Sequence, residues 1–135
     1  MAKTPLTQPK LLAKAVTVFN AYIRNRDKAL GCISCSGPVE QAGHYLNTKY
    51  SAFRFNEMNV NGQCIRCNMY EHGNLIPYRK GLIKRYGEER VALLEGSMER
   101  RAVHKWSSLE LEAIIALYKP KAFKQLKDIY GKKET

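Results

Sequence analysis

An α+β fold that is mainly α is predicted by three features of the sequence. Apolar residues recur at helical spacing over long segments on both sides of the middle of the chain. Between residues 39 and 63 that period is absent, and short alternating segments predict two short strands with an ordered loop. Two Cys-x2-Cys pairs bound this central segment and contain all four cysteines of the chain. We therefore expect helices on either side of a small core that the cysteines hold together.

The N-terminal part is predicted to be an irregular arm followed by one amphipathic helix. Residues 1–10 are polar and contain two prolines, which is typical of an arm. From Leu11 to Leu30 apolar residues recur every three or four positions, which predicts a helix of about twenty residues. Gly31 is expected to end it.

The central segment is predicted to hold two strands and a short helix. Residues 43–46 and 53–55 alternate between small or polar and apolar side chains, as strands do. The second cysteine pair is expected to open a short helix that ends near His72, because Gly73 and Asn74 follow.

Helices are predicted for most of the C-terminal part. Residues 75–86 and 88–95 each show a helical apolar face, with Gly87 between them. Ser107 and Glu110 form a capping box that opens a further helix. Pro120 is expected to kink that helix or to start a new one.

The region boundaries follow from these elements. We divide the chain into an N-terminal arm and helix at 1–31, a zinc-stabilised core at 32–75 and a C-terminal helical region at 76–135. The length suits one compact domain. The C-terminal region is expected to serve in DNA binding or dimerisation.

The cysteine spacing predicts a structural zinc site. Cys32, Cys35, Cys64 and Cys67 form two short loops that can aim four thiolates at one ion, as in closed tetrahedral zinc sites. In a reducing compartment this spacing favours metal over a disulfide or free thiols. We expect this zinc to set geometry and not to take part in a reaction.

The charge of the chain predicts a polyanionic partner. Lys and Arg total 23 against 12 Asp and Glu, which gives a net charge of +11 and a pI near 9.6. Such an excess points first to nucleic acid and second to a membrane surface. The chain lacks a long apolar run and an apolar N-terminal leader, so a cytoplasmic protein is expected.

Residues between and after the cysteine pairs suit hydrolysis of a phosphodiester. His44 is a candidate general base, because a neutral imidazole accepts a proton near pH 7. Asn68 and His72 are four residues apart, so a helix would present both to one cation on one face. Mg²⁺ takes few protein ligands and keeps several waters, and Mn²⁺ also accepts imidazole. We therefore predict a catalytic metal site separate from the four thiolates.

Each of these residues also has an ordinary structural interpretation. His44 alone could be a surface or core histidine, and Asn68 and His72 could cap a helix or support the zinc ligands. Asn59 is predicted to brace the loop that holds the base, although Asn61 or a simple turn role fits equally well.

The order Cys-x2-Cys, Gly-His, Asn, Cys-x2-Cys-Asn resembles an HNH nuclease core, also called the ββα-metal or His-Me finger. The asparagine after the last cysteine is similar to that of the phage endonuclease VII resolvases, in which it binds the metal. A closer resemblance, over most of the chain from residue 19, is to the lambdoid phage NinG/Rap recombination proteins. A later tryptophan-led helix and five strings carry it: FNAYIRNRD (19–27), CISC (32–35), QAGHY (41–45), RFNEMNVNGQCIRCN (54–68) and GNLIPYRKGLIKRYG (73–87).

The resemblance implies a structure-specific endonuclease that cleaves branched recombination intermediates, such as D-loops and Holliday junctions, in the cytoplasm of a phage-infected bacterium. It also implies other recombination proteins as partners. Because a resolvase makes two nicks, a homodimer is expected, and an apolar stripe could form its interface or simply be core: Ile115, Tyr118, Phe123 and Leu126. One alternative is a non-catalytic zinc-ribbon protein that binds DNA as a recombination mediator. Another is a sequence-specific homing-type nuclease, which would cleave linear duplex as well as junctions.

One position departs from the family pattern. In many HNH enzymes the residue before the base histidine is Asp or His and binds the metal, whereas here it is Gly43. Asn68 and His72 with waters could suffice, or an oxygen of Glu57 or Asn74 could complete the site.

Overall fold

The structure, a computed structural model, describes residues 6–97 and 102–131, and the side chains of the last helix as far as Ala122. It confirms a mainly helical α+β protein with one small antiparallel sheet. Among the described residues, no helix is both long enough and apolar enough to cross a membrane. The elements in chain order are α1 (Gln8–Asp27), β1 (Gln41–His44), a 3₁₀ turn (Ser51–Phe53), β2 (Val60–Gln63), a π-helical turn (Arg66–Tyr70), α2 (Leu75–Tyr86), α3 (Glu88–Gly96) and α4 (Ser108–Gly131).

The described chain divides into two compact units. Residues 6–22 and 106–131 form the first unit, and residues 23–105 form the second. The second unit contains all four cysteines and both strands. The region boundaries expected at 31/32 and 75/76 stay a prediction.

Aromatic packing holds the first unit together. The ring of Phe19 on α1 meets that of Tyr118 on α4 edge-on, with centroids 4.8 Å apart, and both residues are buried. The predicted capping box is present at the start of α4: Ser107 N–H donates to Glu110 Oε1 at 3.0 Å, and Glu110 N–H donates to Ser107 Oγ at 3.1 Å. Pro120 lies within α4 and does not start a new helix.

The apolar stripe proposed for a dimer interface is only partly described. Tyr118 is buried in the core of the first unit, and Ile115 is half-buried. The side chains of Phe123 and Leu126 lie outside the described residues. The dimer stays a prediction.

The two strands pair in antiparallel register, with Gln41 opposite Gln63 and His44 opposite Val60. The predicted second strand at 53–55 was wrong. That segment makes local hydrogen bonds instead, including Phe53 N–H to the carbonyl of Tyr50 at 3.0 Å, so its alternation belongs to a turn. The strand partner comes from residues 60–63, whose polar side chains are buried.

An apolar core under the sheet is formed by residues of the first cysteine loop, α2 and α3: Ile33, Tyr78, Leu82 and Val91. Tyr78 is fully buried, and its hydroxyl donates to the carbonyl of Gly43 at 2.7 Å. This bond ties β1 to α2. Gly87 has φ +94 and ends α2, as predicted from its sequence position.

A buried carboxylate joins the end of α1 to β2. Asp27 accepts from Gly62 N–H at 2.7 Å and from the guanidinium of Arg26 at 2.7 and 2.9 Å. Arg85 on α2 lies 3.4 Å from the same carboxylate. The helix ends at Asp27, one turn before the predicted end at Gly31, and the N–H groups of Leu30 and Gly31 bond to the carbonyl of Asp27.

We expect Asp27→Ala to lower the free energy of unfolding by roughly 3–5 kcal/mol, because it leaves the partly buried guanidinium of Arg26 without its buried partner. Urea denaturation measures this loss. Glu57→Ala is the matched control: its side chain is 43% exposed and lies 3.8 Å from Arg26, so its loss should stay below about 1 kcal/mol. Equal losses in both variants would contradict the role given to Asp27.

Candidate metal centre and active site

The structure brings the four cysteines together. The sulfur atoms of Cys32, Cys35, Cys64 and Cys67 all lie within 4.8 Å of one another, and those of Cys35 and Cys64 are 3.6 Å apart. Tetrahedral zinc with Zn–S bonds of about 2.3 Å separates its sulfurs by about 3.8 Å. The group could therefore hold a structural metal ion such as Zn²⁺.

Backbone geometry aims the first pair of thiols. Gly31 adopts φ +86, and a Cβ there would lie 2.9 Å from the carbonyl oxygen of Ser36. Cys32 N–H donates to the carbonyl of Gly37 at 2.7 Å, which closes the loop. Gly37 N–H then lies 3.4 Å from Cys35 Sγ.

The second pair is held in the same way at the start of the π-helical turn. Cys67 N–H lies 3.4 Å from Cys64 Sγ, and the amide of Asn74 lies 3.4 Å from Cys67 Sγ. N–H groups directed at sulfur stabilise thiolates, which are the form that binds metal. Asn74 is therefore placed at the thiolate group.

The environments of the thiols differ. Burial raises the pKa of Cys67 to about 12 and also raises the pKa of Cys32. The N–H of Gly37 lowers the pKa of the exposed Cys35 to about 7. Buried thiols of this kind give up their protons when a cation compensates the charge.

His44 is the last residue of β1 and is half-buried. Its Nε2 lies 3.1 Å from the carbonyl oxygen of Arg54. A carbonyl only accepts, so Nε2 carries the hydrogen and Nδ1 is the basic nitrogen of the neutral ring. Burial lowers the pKa of His44, against the opposing effect of that hydrogen bond, so the ring is neutral near pH 7.

Asn59 is fully buried and binds the loop that follows the histidine. Its Oδ1 accepts from Leu46 N–H at 2.7 Å, and its Nδ2 donates to the carbonyls of Leu46 and Phe53 at 3.0 and 3.1 Å. These bonds hold both ends of the loop from Leu46 to Phe53. Arg54, whose carbonyl bonds to His44, directly follows this loop. Asn61, the other candidate, accepts instead from Arg26 and Arg85 at 3.1 and 3.0 Å.

Asn68 and His72 do not share a helix face, so that prediction was wrong. The helix is a π-helical turn that ends at Tyr70, with Glu71 N–H bonded to the carbonyl of Arg66 at 2.8 Å. His72 follows it with φ +51 and is exposed. The ligand role of His72 stays a prediction, without the support of helical spacing.

The side chain of Asn68 is directed at β1. Its Nδ2 donates to Gln41 Oε1 at 2.8 Å, and its Oδ1 lies 2.9 Å from the position that a Cβ on Gly43 would take. The residue before His44 is therefore in contact with the residue after the last cysteine, although 25 positions separate Gly43 from Asn68 in the sequence.

Gln63 reaches the same place and was not selected from the sequence. Its Oε1 lies 1.8 Å from the Cβ position of Gly43, so the missing side chain of the glycine makes room for it. Glu57 and Asn74, the alternatives for an oxygen ligand, stay predictions: Glu57 Oε1 lies 3.8 Å from Arg26, and Asn74 donates from its Nδ2 to Cys67 Sγ. No local signal in the sequence points to Gln63, because its position next to Gly43 depends on the pairing of β1 with β2.

Comparison with known proteins gives one family. A family model described as "Bacteriophage Lambda NinG protein" matches residues 7–128. Among curated proteins, "Protein ninG" of Escherichia phage lambda is 42% identical over 122 residues, which cover 87% of this chain and 56% of the relative. "Protein ninG" of Escherichia phage 933W is 41% identical, with 87% and 57% covered, and that of Salmonella phage P22 is 40% identical, with 87% and 58% covered.

The chain thus spans a little over half the length of the curated relatives it matches. No solved structure matches it.

Proposed function

Because the chain belongs to the bacteriophage lambda NinG protein family, we propose that it is a metal-dependent endonuclease of the HNH class that cleaves branched DNA. The proposed substrates are recombination intermediates such as D-loops and Holliday junctions, in the cytoplasm of the bacterial host. The order of β1, β2 and a short helix supports a ββα core. The observation that carries the proposal is the hydrogen bond that leaves Nδ1 of His44 basic.

His44 would act as the general base. Its Nδ1 removes a proton from water, and the water oxygen attacks phosphorus while the bond to the 3′ oxygen breaks. The carbonyl of Arg54 keeps its bond to Nε2–H and stabilises the imidazolium that forms. Asn59 would support this step from a distance, by holding the loop from Leu46 to Phe53.

A divalent cation, when bound, would hold the scissile phosphate and stabilise charge on the leaving oxygen. The donor set fits a hard cation such as Mg²⁺ or Mn²⁺, since amide oxygens are suitable ligands. Asn68 would hold it through Oδ1, with His72 as a second proposed ligand. Both lie within six residues of Cys67, so the thiolate site would fix the segment that carries them.

The four-thiolate site would be structural. Cys64 directly follows β2, and Cys67 lies one residue before Asn68. A zinc ion would therefore fasten the end of the sheet to the helix that bears the cation ligand. All four positions would be filled by sulfur, which leaves none for substrate.

Exposed lysines on α2 are the proposed contacts to DNA phosphates. Lys80 and Lys84 are four residues apart on one helix face and exposed. Neighbouring arginines bind protein instead: Arg79 donates to Glu95 at 2.9 and 3.0 Å, and Arg85 donates to Asn61 at 3.0 Å.

We expect Lys80→Gln/Lys84→Gln to weaken DNA binding and to reduce the slope of log K against log salt by about 2, because each phosphate contact releases roughly one counterion. Fluorescence anisotropy at several salt concentrations measures the slope. Lys10→Gln/Lys14→Gln, on α1 in the other unit, makes the same change in net charge and should leave the slope nearer that of the wild type. A larger effect in this control would exclude α2 as the interface.

The substrate class is tested by incubating the zinc-loaded protein with linear, nicked and four-way DNA in Mg²⁺, in Mn²⁺ or without either ion. We expect cleavage of the four-way DNA to exceed that of the linear duplex, and a reaction that keeps the zinc but lacks Mg²⁺ and Mn²⁺ to show none. Equal cleavage of all three DNAs would indicate a nuclease that does not recognise branches. Binding without cleavage in either metal would favour the non-catalytic mediator.

A further inference from the structure

Gln63 has a buried oxygen that the fold leaves without a partner. The residue is fully buried at the end of β2. Its Oε1 has no hydrogen-bond donor among the described residues. A buried acceptor without a donor destabilises the fold, and a bound cation is one partner that would satisfy it.

The orientation of the Gln63 amide is fixed from its other end. Its Nε2 donates to the carbonyl of Gly73 at 2.7 Å, and a carbonyl accepts only, so nitrogen and not oxygen must face it. Nε2 also donates to Ser34 Oγ at 2.9 Å, while Ser34 gives its own hydrogen to the carbonyl of Asn74 at 3.2 Å. The oxygen is therefore held away from these groups and toward β1.

A second amide oxygen converges on the same point. Asn68 Nδ2 donates to Gln41 Oε1, which leaves Asn68 Oδ1 directed at Gly43. A Cβ on Gly43 would lie 1.8 Å from Gln63 Oε1 and 2.9 Å from Asn68 Oδ1. Gln63 Oε1 thus occupies the space that a side chain at position 43 would fill, and Asn68 Oδ1 lies beside that space, one residue before His44.

We propose that Gln63 is a ligand of the catalytic cation, and that its Oε1 supplies the oxygen that residue 43 cannot. The inference rests on the proposed function. Gln63 and Asn68 would bind Mg²⁺ or Mn²⁺ together, with waters at the other positions, because hard cations prefer oxygen and Mg²⁺ uses few protein ligands. The ligand is delivered from β2 instead of from the residue before the base.

This arrangement explains why residue 43 is a glycine. A side chain at position 43 would collide with Oε1, so glycine here and glutamine at 63 depend on each other. Gly43 is not among the described residues with positive φ, so its backbone tolerates an L side chain. The constraint at position 43 is space, and the oxygen can in principle come from either residue.

The role of Gln63 is tested by a titration of the zinc-loaded full chain with Mn²⁺ in the absence of DNA. The EPR signal of free Mn²⁺ reports how much of the ion is bound. We expect the wild type to bind one Mn²⁺ and Gln63→Met, which keeps length but removes oxygen, to bind it at least ten-fold more weakly. Ser34→Ala is the matched control, since it removes one hydrogen bond of Gln63 but leaves Oε1. Its affinity should stay within about three-fold of the wild type.

If Gln63→Met folds poorly, a second pair of variants tests the same role by moving the oxygen ligand from position 63 to position 43. Gln63→Ala should lose Mn²⁺ affinity, and Gly43→Asp/Gln63→Ala should regain it, because the carboxylate then provides the oxygen from position 43. Wild-type affinity in Gln63→Met or Gln63→Ala would overturn the inference, and so would a wild type that binds no Mn²⁺.

The two proposals fail in different ways. DNA cleavage by the wild type combined with Mn²⁺ binding that does not depend on Gln63 overturns the ligand and leaves the nuclease intact. Mn²⁺ binding that depends on Gln63 without cleavage of any DNA supports the site and overturns the nuclease.

Discussion

His44→Ala is expected to lower metal-dependent DNA cleavage by about 10²–10⁴-fold, which is the range that a general base contributes. The variant loses Nδ1, the one ring nitrogen that the carbonyl of Arg54 leaves basic. The ring lies at the end of β1, whereas the thiols lie on other segments, so zinc content should not change. DNA binding should also stay near that of the wild type. Single-turnover cleavage of a four-way DNA measures the rate.

His104→Ala is the matched control. His104 belongs to the same unit and is exposed, and alanine keeps the two bonds that the His104 backbone N–H and carbonyl make to Ser51. Its cleavage rate should stay within about three-fold of the wild type, as for most surface substitutions. Unchanged cleavage in His44→Ala, with cleavage lost in His104→Ala, would place the base elsewhere.

Removal of zinc is expected to unfold the second unit. Structural zinc sites contribute apparent binding energies of about 10–16 kcal/mol in zinc-finger peptides, which matches or exceeds the stability of a typical domain. Cys67 is fully buried among the other sulfurs, so Cys67→Ser should bind less than one zinc per chain and lose its cooperative thermal transition. Zinc titration with a chromophoric chelator and circular dichroism measure both effects.

Met69→Ala controls for a change in the same helical turn, because Met69 is 58% exposed. It should keep one zinc and a melting temperature near that of the wild type. Chelation of wild-type zinc should reproduce the loss seen in Cys67→Ser, and added zinc should reverse it. A Cys67→Ser protein with normal melting would remove the structural role of the site.

The features that could be predicted from the sequence depend on short-range spacing. Two residues between cysteines form a short loop that directs both thiols to one point. The spacing of the two pairs therefore predicted that the four sulfur atoms lie together. The capping box of Ser107 and Glu110 is likewise local and is present as predicted. The mainly helical class followed from a period that persists over many residues.

The features that could not be predicted are those for which one local sequence pattern is compatible with two structures, and long-range contacts decide between them. Phe53 and Phe55 alternate as in a strand, yet the segment forms local hydrogen bonds and residues 60–63 take the place in the sheet. His72 has helical spacing from Asn68, yet the turn closes before it as a π-helix and the backbone takes φ +51.

The position of Gln63 required the sheet register. Gln63 pairs with Gln41, which places Gly43 two residues along the same face of β1. Neither residue alone indicates a cation site, since a glutamine is usually a polar surface residue and a glycine has no donor. The proposed site depends on their juxtaposition, and the sequence does not state which residues pair.

We propose that the second unit contains an active centre in addition to its four-cysteine site. The most direct measurement is cleavage of an end-labelled four-way DNA by the zinc-loaded wild type in Mg²⁺, with a reaction that lacks Mg²⁺ and a reaction of the His44→Ala protein in parallel. We expect cut strands for the wild type in Mg²⁺ and intact strands in the other two reactions. Intact DNA in all reactions, also with Mn²⁺, while the protein binds the junction, would contradict it.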